Sequence, residues 1–163
     1  MSSRDSRHGT RYKARARAVD LIFEAEQRDA DPLEVTATHV ELSREDGSAP
    51  VRPYTHDIIE GIAVEMDSID DAIQAHLADG WKLNNLPAVD RAILRVCAWE
   101  LLFNPEVPTK VTCKEGAELG LQYSGPDAGQ YINAVLDSIA KERAADSAPT
   151  ASDETTDSTP EIK

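Results

Sequence analysis

The chain reads as an all-α protein on three observations. Apolar residues recur at three- and four-residue steps along most of its length, and no stretch alternates with a period of two. Proline, glycine and aspartate or asparagine pairs fall between the periodic stretches, where helices need stops and starts. At 163 residues the chain is long enough for one buried core. The longest apolar run is four residues, Val96 to Trp99, so no transmembrane helix is expected. No apolar stretch follows the basic N-terminus, so it does not read as a secretory signal.

Residues 1–10 lack apolar content and are expected to form a disordered basic arm. From Arg11 a helix begins, with Ala14, Ala18, Leu21, Ile22 and Ala25 on one stripe, and Asp31-Pro32 stops it. A short amphipathic segment spans roughly Leu33 to Leu42. Ser43 to Pro53, carrying Gly47, Pro50 and Pro53, is expected to be a loop. From Tyr54 to about Leu77 the helical period returns through Ile58, Ile59, Ile62, Met66, Ile69 and Ile73, and Gly61 is the expected point of bending. Pro87 opens the next helix, which buries Val89, Ile93, Val96, Cys97 and Leu101 and ends at Asn104-Pro105.

Thr112-Cys113-Lys114-Glu115 has capping-box spacing, which predicts a helix opening there and running to about Tyr123. Gly116, Ala117 and Gly120 give that helix a small face for close packing. Ser124-Gly125-Pro126-Asp127 forms a turn into a last helix, with Ala128, Ile132, Val135, Leu136 and Ile139 in register. Residues 143–163 are expected to be a disordered acidic tail.

The net charge of −13 (17 Lys and Arg against 30 Asp and Glu) argues at first against a nucleic-acid binder. Its distribution argues otherwise. Residues 1–17 hold six bases and one acid, a net of +5, while residues 18–143 carry −14 and residues 144–163 carry −4. A basic arm on an acidic body fits two partners of opposite charge.

Catalytic patterns are missing: there is no G-x-S-x-G, no glycine-rich phosphate loop and no H-E-x-x-H. His8, His39, His56 and His76 lack metal-ligand spacing. Cys97 reads as core, and Cys113 as a thiol exposed at a helix start. Neither an enzyme nor a cofactor or metal site is expected.

Two helices carry the binding candidates. In the first, Tyr12, Ala16, Val19 and Phe23 make a second apolar strip, either a second buried face or a protein-docking surface with Phe23 as anchor. Arg11 and Arg15 lie one turn apart, a spacing suited to neighbouring phosphates. In the last, Tyr131 flanks the apolar stripe, either as a core-edge residue or as a ring that stacks on an unpaired base. Asn133 lies off the stripe, free to bond a base edge or bridge helices. The helix start near Asp127 to Gln130 offers backbone N–H groups to an anion.

Four stretches together resemble the NusB family of transcription antitermination factors. They are Arg11-Tyr12-Lys13-Ala14-Arg15-Ala16-Arg17-Ala18-Val19-Asp20-Leu21-Ile22-Phe23, then Trp81-Lys82-Leu83 with Leu86 to Val96 and Trp99-Glu100-Leu101, then Val107 to Leu119, and Tyr131-Ile132-Asn133-Ala134-Val135-Leu136-Asp137. The resemblance covers about residues 11–142. It implies an all-helical domain of about six to seven helices in two packed subdomains, acting in the cytoplasm. It also implies boxA-type single-stranded RNA, the small-subunit ribosomal protein NusE and the RNA polymerase antitermination complex as partners.

By position, the resemblance assigns RNA contacts to Arg11, Lys13, Arg15, Asp127, Gln130, Tyr131 and Asn133, and NusE contacts to Phe23 and Asp90. Tyr131 stands where the family usually has phenylalanine, Gln130 where it has lysine, Lys114 where it has asparagine and Ala134 where it has glycine. Two rivals stand beside this. One is a homodimer built on the Phe23 strip that binds no RNA. The other is the NusB-like domain of an RNA methyltransferase, disfavoured because no cofactor strand or catalytic cysteine motif follows the helices.

Overall fold

A computed structural model describes residues 9–147; the expected arm at residues 1–8 and the tail at residues 148–163 lie outside the described residues. Six α-helices and one 3-10 turn make up the described chain, with no strand among them. The helices are α1 (Thr10–Gln27), α2 (Pro32–Asp46), α3 (Pro53–Ala75), α4 (Ala88–Phe103), α5 (Thr109–Tyr123) and α6 (Pro126–Ser147), with the 3-10 turn at Leu83–Asn85. Helices α1–α3 form one half and α4–α6 the other. Helix α4 runs between them and packs on α1, α3, α5 and α6. Its residues 92–101 are all buried, which explains why apolar residues surround this helix rather than stripe it.

The start signal of α2 acts where the sequence places it, but the helix continues through Ser43 to Asp46, so the expected loop begins only at Gly47. Asp31 caps it by accepting from the Leu33 N–H at 2.8 Å, Pro32 occupies the first turn, and Gly47 ends it at φ +76°. Three further expectations are corrected. First, α3 departs from helical geometry at Glu65 (φ −108°, ψ 18°), not at Gly61. Gly61 serves packing instead, because a Cβ there would lie 1.9 Å from Nε1 of Trp99. Second, α5 opens at Thr109 behind Pro108 rather than at Thr112. The Thr112 hydroxyl donates across the core to Glu100, and Glu115 accepts from Arg15, so both members of the apparent capping box are engaged elsewhere. Third, helix α6 continues to Ser147, beyond the expected tail boundary at residue 143.

The small face of α5 does what its composition predicts. Added Cβ atoms would meet Leu136 Cδ1 at 2.4 Å from Gly116 and the Gly129 Cα at 3.0 Å from Gly120, so the two helices cross nearly backbone to backbone. This close crossing sets where the first turns of α6 stand.

A second charged cluster fastens the two halves. Arg91 donates to Glu26 of α1 and to the carbonyls of Leu83 (3.2 Å) and Leu86 (2.7 Å), while Arg95 bridges Glu26 (2.9 Å) and Asp70 (2.8 Å). The Arg91 hydrogen bond, outweighing burial, holds the Glu26 carboxyl below its ordinary range. A depressed carboxyl stabilises the fold above the ordinary range and loses that contribution as pH falls through its folded value. The stability gap between wild type and Glu26→Gln should therefore be widest near neutrality and close below about pH 4.3. Urea midpoints across pH test this, and an equal gap at all pH values contradicts it.

Candidate RNA and partner interfaces

Helix α1 begins against its own electrostatics. Gly9 provides no side-chain cap and the first turn has no acid, yet Arg11 and Lys13 stand at this end. Cations here oppose the positive end of the helix dipole by about 0.3–1 kcal/mol each, so local helix stability does not account for them. Arg11 is exposed, with its guanidinium 4.8 Å from the centre of the Tyr54 ring and 3.8 Å from Glu106. Lys13 is half-buried, and its side chain makes no hydrogen bond or ion pair among the described residues.

Arg15 belongs to a different environment. It is 1% exposed, donates through Nε to both carboxylate oxygens of Glu100 at 3.0 Å, and reaches Glu115 through Nη1 at 2.7 Å. Burial is the largest single influence and works against its charge, but the hydrogen bond and charge of Glu100 together with the charge of Glu115 outweigh it, so the guanidinium is held protonated. The expected phosphate contact at Arg15 is therefore corrected. An RNA phosphate would have to displace two carboxylates inside the core.

At the start of α6, Asp127, Gln130 and Asn133 are exposed. Gln130 and Asn133 line a shallow groove of about 420 Å³ together with Lys114, Leu121 and Pro126. Tyr131 lies on the opposite flank, half-buried, with its ring centre 5.6 Å from that of Trp81 at a 41° tilt. The last helix thus presents polar groups on one side and an aromatic pair on the other. Trp81 is 52% exposed and was missed as a site residue in the sequence. Its signal was a large aromatic just after Asp79-Gly80, outside every periodic stripe. Lys114 and Ala134, where the resemblance expects asparagine and glycine, are both exposed, so neither disturbs packing.

The Tyr131 hydroxyl is buried and has no hydrogen-bond partner among the described residues. Burial is also the main reason its ionisation is pushed up. An unpaired buried hydroxyl costs about 1–3 kcal/mol, so Tyr131→Phe should raise folding stability by about 1 kcal/mol. Chemical denaturation measures this, and a loss of stability would show a partner for the hydroxyl.

Phe23 is 37% exposed on α1, while Tyr12 and Val19 of the same strip are buried. The strip is therefore divided, core at one end and surface at the other. Asp90 is corrected as a partner-facing carboxylate: it is 4% exposed and accepts from the Ser124 hydroxyl at 2.6 Å. It holds the α5–α6 turn onto α4. Cys113 is likewise buried rather than exposed, and burial pushes both thiols up.

A model of the NusB family matches residues 12–141. The chain belongs to the NusB family. It is 51% identical over 138 residues to the transcription antitermination protein NusB of Corynebacterium jeikeium, an alignment covering 83% of this chain and 68% of that protein. To the Corynebacterium efficiens protein of the same name it is 53% identical over 136 residues, covering 82% and 72%. The solved structure of T. maritima NusB superposes with a TM-score of 0.72 at 31% identity, over 82% of this chain and 92% of that one. The NusB match encloses every candidate interface residue except Arg11, which lies one position before it. Among the described residues of this NusB-family chain, no group of three His, Cys, Asp or Glu side chains is placed to hold a metal ion. Among the described residues no helix is long and apolar enough to cross a membrane.

Proposed function

We propose that this NusB-family protein is a non-enzymatic, cytoplasmic antitermination factor whose domain at residues 11–142 binds boxA-type RNA and NusE at separate surfaces. The observation that carries the proposal is the family match across residues 12–141, which includes both α1 and the start of α6. Arg11 and Lys13 supply attraction to phosphates. Gln130 and Asn133 offer hydrogen bonds to base edges, Asp127 an acceptor, and Tyr131 with Trp81 a face for stacking. Phe23 anchors the ribosomal protein, whose basic surface relieves the long-range repulsion between RNA and the acidic body. Neither thiol is a nucleophile here, because both are buried and their ionisation is pushed up.

A titration with a boxA-like RNA, with and without NusE, tests the proposal directly: binding that strengthens with NusE supports it, and no binding in either case overturns it. Tyr131→Ala should lose about 1–3 kcal/mol of RNA affinity. Unchanged affinity with lowered stability would make Tyr131 a core-edge residue only. Sedimentation without RNA distinguishes the homodimer, which would use the same exposed Phe23.

A further inference from the structure

A cleft of about 580 Å³ lies between α1 and the segment that enters α3, with Lys13, Arg17 and Asp20 on one wall and Pro50 and Arg52 on the other. We infer that this cleft is a second RNA contact, a groove for backbone phosphates that lengthens the bound strand beyond the base-reading end of α6. The inference rests on the RNA-binding function proposed above.

Three observations support it. The cleft gathers three cations in a chain whose charge is −13, and they are not consumed by the protein. The side chains of Lys13, Arg17 and Arg52 have no hydrogen bond or ion pair among the described residues, and Arg17 lies near enough to Asp20 to act on its charge. By contrast, Arg15, Arg91 and Arg95 are each bound to carboxylates. Lys13 and Arg17 are one turn apart, about 6 Å along the axis, and so act along one edge.

The one acid in the cleft is already occupied. Asp20 accepts from the Tyr123 hydroxyl at 2.7 Å, and against its one negative charge the cleft sets three cations, so it is net positive. That same bond joins the cleft to the other surface. Tyr123 is the last residue of α5, three before Pro126 at the start of α6, so the bond ties the wall of the cleft to the turn from which α6 begins. An extended polyanion fits an open groove of point charges better than a compact ligand does, since no buried polar group is aimed into it.

The test compares a short boxA-like RNA with the same RNA extended at both ends, titrated over a range of salt with NusE present. Arg17→Gln/Arg52→Gln should reduce the log–log salt slope for the extended RNA by about 1.4, at roughly 0.7 per lost phosphate contact. The short RNA should bind this variant as it binds wild type. Arg17→Lys/Arg52→Lys, which keeps the charge, should restore the slope. An unchanged slope in the glutamine variant overturns the cleft while leaving the RNA-binding function standing. Loss of polyglutamate binding without loss of RNA binding also overturns it, in favour of an acidic protein. Failure of wild type to bind either RNA refutes the function itself.

Discussion

Glu100→Ala should lower folding stability by about 3–5 kcal/mol, the range for a buried charge stripped of its partner. Glu100 is 1% exposed and accepts from Arg15 through both oxygens at 3.0 Å, and from the hydroxyls of Tyr54 and Thr112. Its removal leaves three donors from α1, α3 and α5 without their common acceptor. Glu115 still touches the guanidinium, but it is partly exposed and replaces only one contact. For a chain of this size the thermal midpoint should fall by about 6–20 °C. A midpoint within about 2 °C of wild type would refute the account. Pairing the change with Arg15→Met should recover much of the loss, because an apolar pair no longer carries an uncompensated charge.

Phe23→Ala should weaken binding to NusE by about 2–4 kcal/mol, or roughly 30- to 700-fold, the range of an aromatic anchor at the centre of an interface. Folding stability should change by less than about 1 kcal/mol, because the ring is 37% exposed and the buried strip ends at Val19. Calorimetric titration and denaturation of the same variant separate the two effects. A large stability loss with full partner affinity would assign Phe23 to the core instead.

The helices were legible wherever one apolar stripe faced one core, as in α1, α3 and α6. The start of α5 was not, because Thr112 and Glu115 carry a local capping pattern while their bonds run to residues on other helices. The same limit applies to charge. Arg11 and Arg15 look alike in sequence, one turn apart on one helix, yet one lies on the surface and the other meets a carboxylate 85 residues away. Periodicity identified Asn133, which falls off the buried stripe, while Asp127 and Gln130 were marked by the turn that opens the last helix; all three are exposed. Trp81 lies in no periodic stretch, and only folding places its ring beside Tyr131.

Arg11 and Phe23 sit on the same uninterrupted helix, twelve residues and about 18 Å apart along its axis. That helix is clamped in its second turn by Arg15 and near its end by Glu26, so its two ends move as one body. Under the proposed function it works as a ruler: a protein seated at Phe23 would be held at a set distance from a nucleic acid seated at Arg11. Any strand contacting both would gain effective concentration from that spacing alone, and lengthening or bending the helix would erase the gain without touching a single contact.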